Sequence, residues 1–260
     1  MSAEKVVSLQ QFDLTADQFR QLPEDQQAVI AVLTYAVSEL NALRRVFLSQ
    51  RLALTEEVAI NSAIKIQHFT ILRTWTSKTF EAVQFLENDL CSSKRKCKDQ
   101  SVLRLAKSLK GKLKEIRGRS GYSLARDIRN ETANHYSFSS AKKNLQHTRN
   151  GSDCNFYTHD HGGNDFFPVG EEVVFQARLA RRWSSVREKT TRDRIFRDGL
   201  TWNNETTDWL TKVNALFCSE LVFKAFPQNR FRSSHYSAPA EISGHPSAKI
   251  TPVFFEDSPQ

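Results

Sequence analysis

Apolar residues recur at three- and four-residue spacing through most of the chain, and that rhythm predicts helices. Behind Pro23, a residue suited to a first helical position, Ala28, Val29, Val32, Ala36, Leu40, Leu43 and Phe47 trace one face over 24–49. The run 28–33 is apolar all round, which predicts burial on more than one side, a subunit contact being one way to achieve it. Ile60, Ile64, Ile71, Trp75, Val83 and Leu86 define a second face over 57–88, with Thr55 as its cap and Glu56 and Glu57 in its first turn. His68 falls on that face, where a hydrogen-bonded core histidine is expected. A third stretch, 101–137, carries Val102, Leu105, Leu109, Leu113 and Ile116. It is interrupted at Gly118–Gly121 and continues with Leu124, Ile128, Thr132 and Tyr136. A shorter helix is expected over 171–183. A long one is expected over 191–226, with Trp202, Thr206, Trp209, Val213, Leu216 and Glu220 along one side and Pro227 past its end.

The rhythm fails in three places. Residues 1–21 are polar with scattered apolar positions and read as a short lead-in helix. Residues 139–168 form a polar stretch with Asn150-Gly151 and Gly162-Gly163, too long to be a mere connection. From Gln228 onward lie four of the seven prolines, which predicts an irregular tail, although 250–255 is apolar enough to dock. The expected fold is therefore all-α: an up-and-down bundle of about four long helices. One domain spans 1–227 with 139–168 as a polar loop insertion, and 228–260 is the C-terminal tail.

Composition narrows the class. Of 260 residues, 39% are hydrophobic and 25% charged, the balance of a globular protein. No apolar run approaches the ~20 residues that span a bilayer, and the N-terminus lacks a signal-peptide pattern. No membrane association and a cytoplasmic location are the expectations. Cys91, Cys97, Cys154 and Cys218 form no Cys-x2-Cys pair, so reduced structural thiols are expected.

Charge adds more by its placement than by its size. Residues 94–119 hold eleven Lys/Arg against Asp99 and Glu115, a net +9, whereas the whole chain is +8. Lys107, Lys110, Lys114 and Arg117 recur at spacings of three, four and three, so one helix presents an apolar side and a basic side. Such a stripe suits a polyanion such as RNA, and it equally suits a solubilising helix face.

Candidate chemistry follows directly after that helix. Arg129, Thr132 and His135 lie on one i, i+3, i+6 ridge, spread over roughly 9 Å at ~1.5 Å per residue. Asn130 stands beside Arg129. An arginine supplies a fixed cation and a donor fork, and an imidazole moves a proton near neutral pH. A second Arg/His pair, Arg230 and His235, sits in the proline-containing tail and is set aside. His159 and His161, with Cys154 and Asp165 nearby, offer an incomplete metal-ligand set, and no native metal site is expected from them.

Ile128-Arg129-Asn130, then Ala133, then His135-Tyr136, resembles the motif of the HEPN superfamily of small helical bundles. His135 stands one residue beyond the register that members with an Arg-Asn start commonly use. The resemblance implies a four-helix bundle acting as a homodimer and a metal-independent endoribonuclease without a cofactor. Such enzymes serve as toxins or defence nucleases, paired with an antitoxin or a nucleotidyltransferase. It implies that Arg129 holds the scissile phosphate, that Asn130 orients the site, and that His135 takes or gives the proton. The alternative is a catalytically silent HEPN-like module that binds RNA, a nucleotide or a partner protein. No Gly-rich phosphate loop, nucleophile elbow or complete metal set competes with these readings.

Overall fold

The computed structural model describes residues 5–50, 55–93, 95–130, 137–159, 162–182, 189–238, 243–245 and 251–254. In chain order the elements are β1 (Lys5–Phe12), α1 (Ala16–Arg20), α2 (Glu24–Leu48), α3 (Val58–Phe85), α4 (Gln100–Gly118), α5 (Ser120–Ile128), α6 (Phe138–Asn144), α7 (Pro168–Glu171), α8 (Ala177–Arg182), α9 (Lys189–Phe217) and β2 (Phe231–Ala238). Among the described residues, Leu86–Cys91 after α3, Glu172–Gln176 between α7 and α8 and Cys218–Phe223 after α9 widen into π-helix, as do the two residues that follow α5. The protein is thus mostly helical, and none of its described helices is long and apolar enough to cross a membrane.

The chain divides into two compact units. The first comprises Met1–Ala42, Lys78–Arg119 and Asn204–Lys249. Its core takes Val29, Ile30, Leu33, Val37 and Leu40 from α2, and Val102, Ala106, Leu109, Leu113 and Ile116 from α4. The all-apolar run on α2 is buried on one side only, because Val32 stays 41% exposed and Tyr35 70%. The start of α4 is fixed twice. Asp99 caps it by accepting from the Val102 amide at 2.9 Å, and Asp25 accepts from the Lys98 and Asp99 amides at 2.6 and 3.0 Å.

The same unit contains the feature that departs most from the sequence reading. The segment read as a lead-in helix is β1, followed by the short α1, and the tail contains β2. The two strands pair antiparallel from Lys5↔Ala238 to Phe12↔Phe231. Their anchor is an aromatic triad, with Phe12 4.6 Å from Phe223 and 5.2 Å from Phe231, and Phe223 4.9 Å from Phe231. Residues Phe231–Ala238 are nearly all exposed, so no apolar alternation marks the strand.

The second unit comprises Leu43–Ser77, Ser120–Asn203 and Ile250–Gln260. Leu124 and Ile128 of α5 meet Phe175 and Leu179, with Phe69 and Ile195 packed against them. Gly121 lets α5 lie against α9, because a Cβ there would meet Trp202 Cβ at 2.3 Å. His68 is buried against Phe47 at 4.5 Å, and burial lowers its pKa. It is the core histidine expected, although its Nδ1 has no hydrogen-bond partner among the described residues. The polar stretch 139–168 is more structured than a loop. It holds most of α6 and a bridge between Tyr157 and Phe166, whose rings stack at 4.6 Å.

Candidate functional site: an arginine cluster at the end of α5

The expected catalytic group falls where α5 ends. Arg129 and Asn130 continue the helix as π turns past Ile128, and Arg129 Nη1 donates to Asn130 Oδ1 at 3.1 Å. Thr132 and His135 lie outside the described residues. The Leu124/Ile128 face is buried, so Arg129, one residue on, is carried at the edge of that packing and is half-buried itself.

Around this helix end the structure gathers arginines that spacing did not single out. Asp127 has a side chain only 12% exposed, and Arg182 Nη2 of α8 sits 2.6 Å from its Oδ2. Arg126 Nε stands 4.0 Å from Asp127 Oδ1. Arg178, one turn before Arg182, donates from Nη1 to Ser140 Oγ of α6 at 2.6 Å. Burial raises the Asp127 pKa, while Arg182, Arg126 and Arg178 pull it back toward ionisation. Burial and the neighbouring Arg181 and Arg182 lower the Arg178 pKa against the pull of Asp127. Arg126, Arg178 and Arg182 therefore share one half-buried carboxylate. At the start of α6, Phe138 is 81% exposed, with Lys142 Nζ 5.5 Å over its ring. The sequence signal was the triplet Arg178, Arg181 and Arg182, but its relation to Asp127 is tertiary.

The basic stripe of the first unit is arranged differently. Lys107, Lys110, Lys114 and Arg117 are all exposed along α4, opposite its buried side. Arg117 Nη1 pairs with Glu87 Oε1 at 2.6 Å. Lys110, Lys114 and Arg117 line a groove of about 270 Å³ with Glu87, Asn88, Cys91 and Ser92. Burial raises the Cys91 thiol pKa, so that cysteine is not a ready nucleophile. Elsewhere in the block, Lys112 pairs with Glu115 and Arg119 with Glu115 and Glu205, so part of the +9 is answered locally.

Cys154 is exposed, the His159 amide donates to Asp165 Oδ1 at 2.7 Å, and His161 lies outside the described residues. Among the described residues no group of three His, Cys, Asp or Glu side chains could hold a metal ion. His235 sits on β2 with its Nδ1 2.8 Å from Ser8 Oγ. The chain matches no protein-family model, no curated protein and no solved structure.

Proposed function

We propose that the protein binds RNA at the end of α5 and cleaves it there without a metal. Arg129 would hold the phosphate, Asn130 would orient it, and His135 would carry the proton. The observation behind this reading is the convergence of Arg126, Arg178 and Arg182 on the half-buried carboxylate of Asp127, which gathers several cationic donors at one helix end. A phosphodiester accepts several N–H groups at once, and guanidinium forks match its oxygens. In the reaction the ribose 2′-oxygen attacks phosphorus and the bond to the 5′-oxygen breaks. One proton leaves the 2′-hydroxyl for His135 and another reaches the departing oxygen, giving a 2′,3′-cyclic phosphate. The α4 stripe would add sequence-independent affinity. The exposed Val32 and Tyr35 of α2 suit a contact with a second copy, which sedimentation at micromolar concentration would register as a dimer.

A binding module without cleavage draws on the same observation, because the arginine cluster is complete without His135. The deciding experiment incubates wild type, Arg129→Ala and His135→Ala with a mixed RNA pool in excess chelator and analyses product ends for cyclic phosphate. Wild-type cleavage lost in both variants is the expected result. Full activity in His135→Ala overturns the catalytic reading, and intact RNA that still binds wild type assigns the silent module.

A further inference from the structure

A cavity in the second unit lies apart from the arginine cluster's own residues. It encloses about 520 Å³ between the first half of α3, the 149–153 turn and the α7–π segment. That size suits a small organic ligand. The polar stretch 139–168 is folded to build it. Asn150-Gly151 forms the turn with Gly151 at φ +78°, and the π segment places Glu172 and Gln176 on the cavity wall. Such π turns recur at functional sites.

The lining is polarised. At the rim stand Lys65, Arg149 and Asn150, all exposed. Farther in are the buried Ser62, Glu172 and Pro168, with Asp153, Glu171, Ile66 and Phe69 half-buried. Two of the three inner carboxylates are already matched. Arg149 Nη2 sits 2.9 Å from Glu172 Oε2, and Arg73 Nη1 sits 2.6 Å from Glu171 Oε1. The Ser152 hydroxyl lies close enough to Glu172 to help hold its carboxyl down, yet makes no hydrogen bond of ordinary geometry.

Asp153 is different, because only neutral groups serve it. Ser62 Oγ donates to its Oδ2 at 2.6 Å, Tyr157 Oη donates to the same oxygen at 3.2 Å, and the Asn155 amide donates to Oδ1 at 3.0 Å. Burial works against ionisation, but these donors outweigh it and hold Asp153 below the usual carboxylate range. The cavity therefore keeps one anion without a cation inside. At its rim is one cation, Lys65, with no ion-pair partner among the described residues.

From this polarity we infer that the cavity binds a basic amino acid, free or as the C-terminal residue of a peptide. The ammonium or guanidinium head faces Asp153, the methylene stem lies along Ile66, Phe69 and Pro168, and the carboxylate reaches Lys65 at the rim. A long amphipathic stem suits such an apolar wall. A separated pair of opposite charges requires a ligand that carries both at a distance.

The test is calorimetric titration of the full chain with L-arginine, L-lysine, the tripeptide Gly-Gly-Arg, agmatine, which lacks the carboxylate, and AMP. The expected result is millimolar or tighter binding of at least one carboxylate-bearing ligand, with agmatine weaker by about tenfold or more. L-arginine binding without Gly-Gly-Arg assigns the free amino acid, and the reverse assigns a peptide terminus. Lys65→Ala should cost about tenfold for the carboxylate-bearing ligands and leave agmatine unchanged. Asp153→Asn should weaken all of the basic ligands. Because Asp153 also braces its neighbours, the exposed Lys65 carries the decision if that variant misfolds. No binding of any basic ligand at about 10 mM overturns the inference. So does AMP binding more tightly than the amino acids, or a Lys65→Ala protein that keeps full preference for the carboxylate. RNA binding and cleavage by Lys65→Ala should be unchanged, so failure here is distinguishable from failure of the nuclease reading.

Discussion

The two basic regions show different ways of presenting positive charge. On α4 the cations follow one another along a single solvated helix face, and Glu87 answers one of them at the edge. At the end of α5 the cations come from α5 and α8, more than 50 residues apart in sequence, and converge on one carboxylate. The lysine stripe is hydrated and adjustable, so its contribution is a diffuse field that draws a polyanion and falls away with salt. The arginine cluster gathers side chains from two helices about one carboxylate, so its contribution is directional although Arg126 and Arg182 stay 52% and 42% exposed. On the proposed reading the stripe steers and the cluster docks; charge counting locates the first, whereas the second emerges only from tertiary structure.

The largest expected effects test the directional region. Arg129→Ala and His135→Ala should each reduce RNA cleavage by about 100-fold or more, the scale of losing a phosphate-holding donor or a proton carrier. Their thermal midpoints should stay near wild type, which a melting scan checks. A comparable loss in the Lys107/Lys110/Lys114/Arg117→Gln variant would erase the distinction between the two regions. Next comes the support beneath the cluster. Gly121→Ala drives a Cβ into Trp202 and should cost about 1–3 kcal/mol in denaturant unfolding. Gly199→Ala meets only the flexible Leu124 Cδ2, at 2.6 Å, and should cost less.

RNA affinity measured against salt separates the regions more finely. The quadruple α4 variant should flatten the slope of log affinity against log salt by up to about 3, as four single-strand phosphate contacts at ~0.7 each would give. An unchanged slope would make the stripe a solubilising face. The smallest effect is in pH. Asp127 has a raised pKa, so its favourable contribution is full below the unfolded value of 3.8 and is lost as pH rises through the folded value. The stability of wild type relative to Asp127→Asn should therefore grow as pH falls through that window. Asp153, with a lowered pKa, has the opposite sign. Its contribution is present above 3.8 and lost as pH falls through its folded value, so wild type relative to Asp153→Asn should weaken there.

The long helices were legible because each buries one stripe, and α4 shows why most plainly. Its buried Val102, Leu109, Leu113 and Ile116 and its exposed lysines alternate at helical spacing. The interruption at Gly118–Gly121 was legible too, as the junction between α4 and α5. The β1–β2 ribbon was not, since strands with both faces largely exposed carry no apolar alternation and no tight turn links them. Of the candidate site, Arg129 and Asn130 could be named from local spacing. Asp127, Arg178 and Arg182 could not be joined, because helical spacing reaches only a turn or two. The π turn at 172–176 likewise leaves no mark in a pattern built on 3.6 residues per turn.

The ribbon has a consequence for the order of folding. Ser8 and His235 meet across 227 residues of sequence, and closing so long a loop costs about 3 kcal/mol more entropy than closing one of about ten residues. Little burial rewards that closure beyond the Phe12, Phe223 and Phe231 contact, so the ribbon can gain only after the helices have shortened the distance. It should be the last element to register and the first to open. In native-state hydrogen exchange, the paired amides of 5–12 and 231–238 should exchange together, well before those of α4.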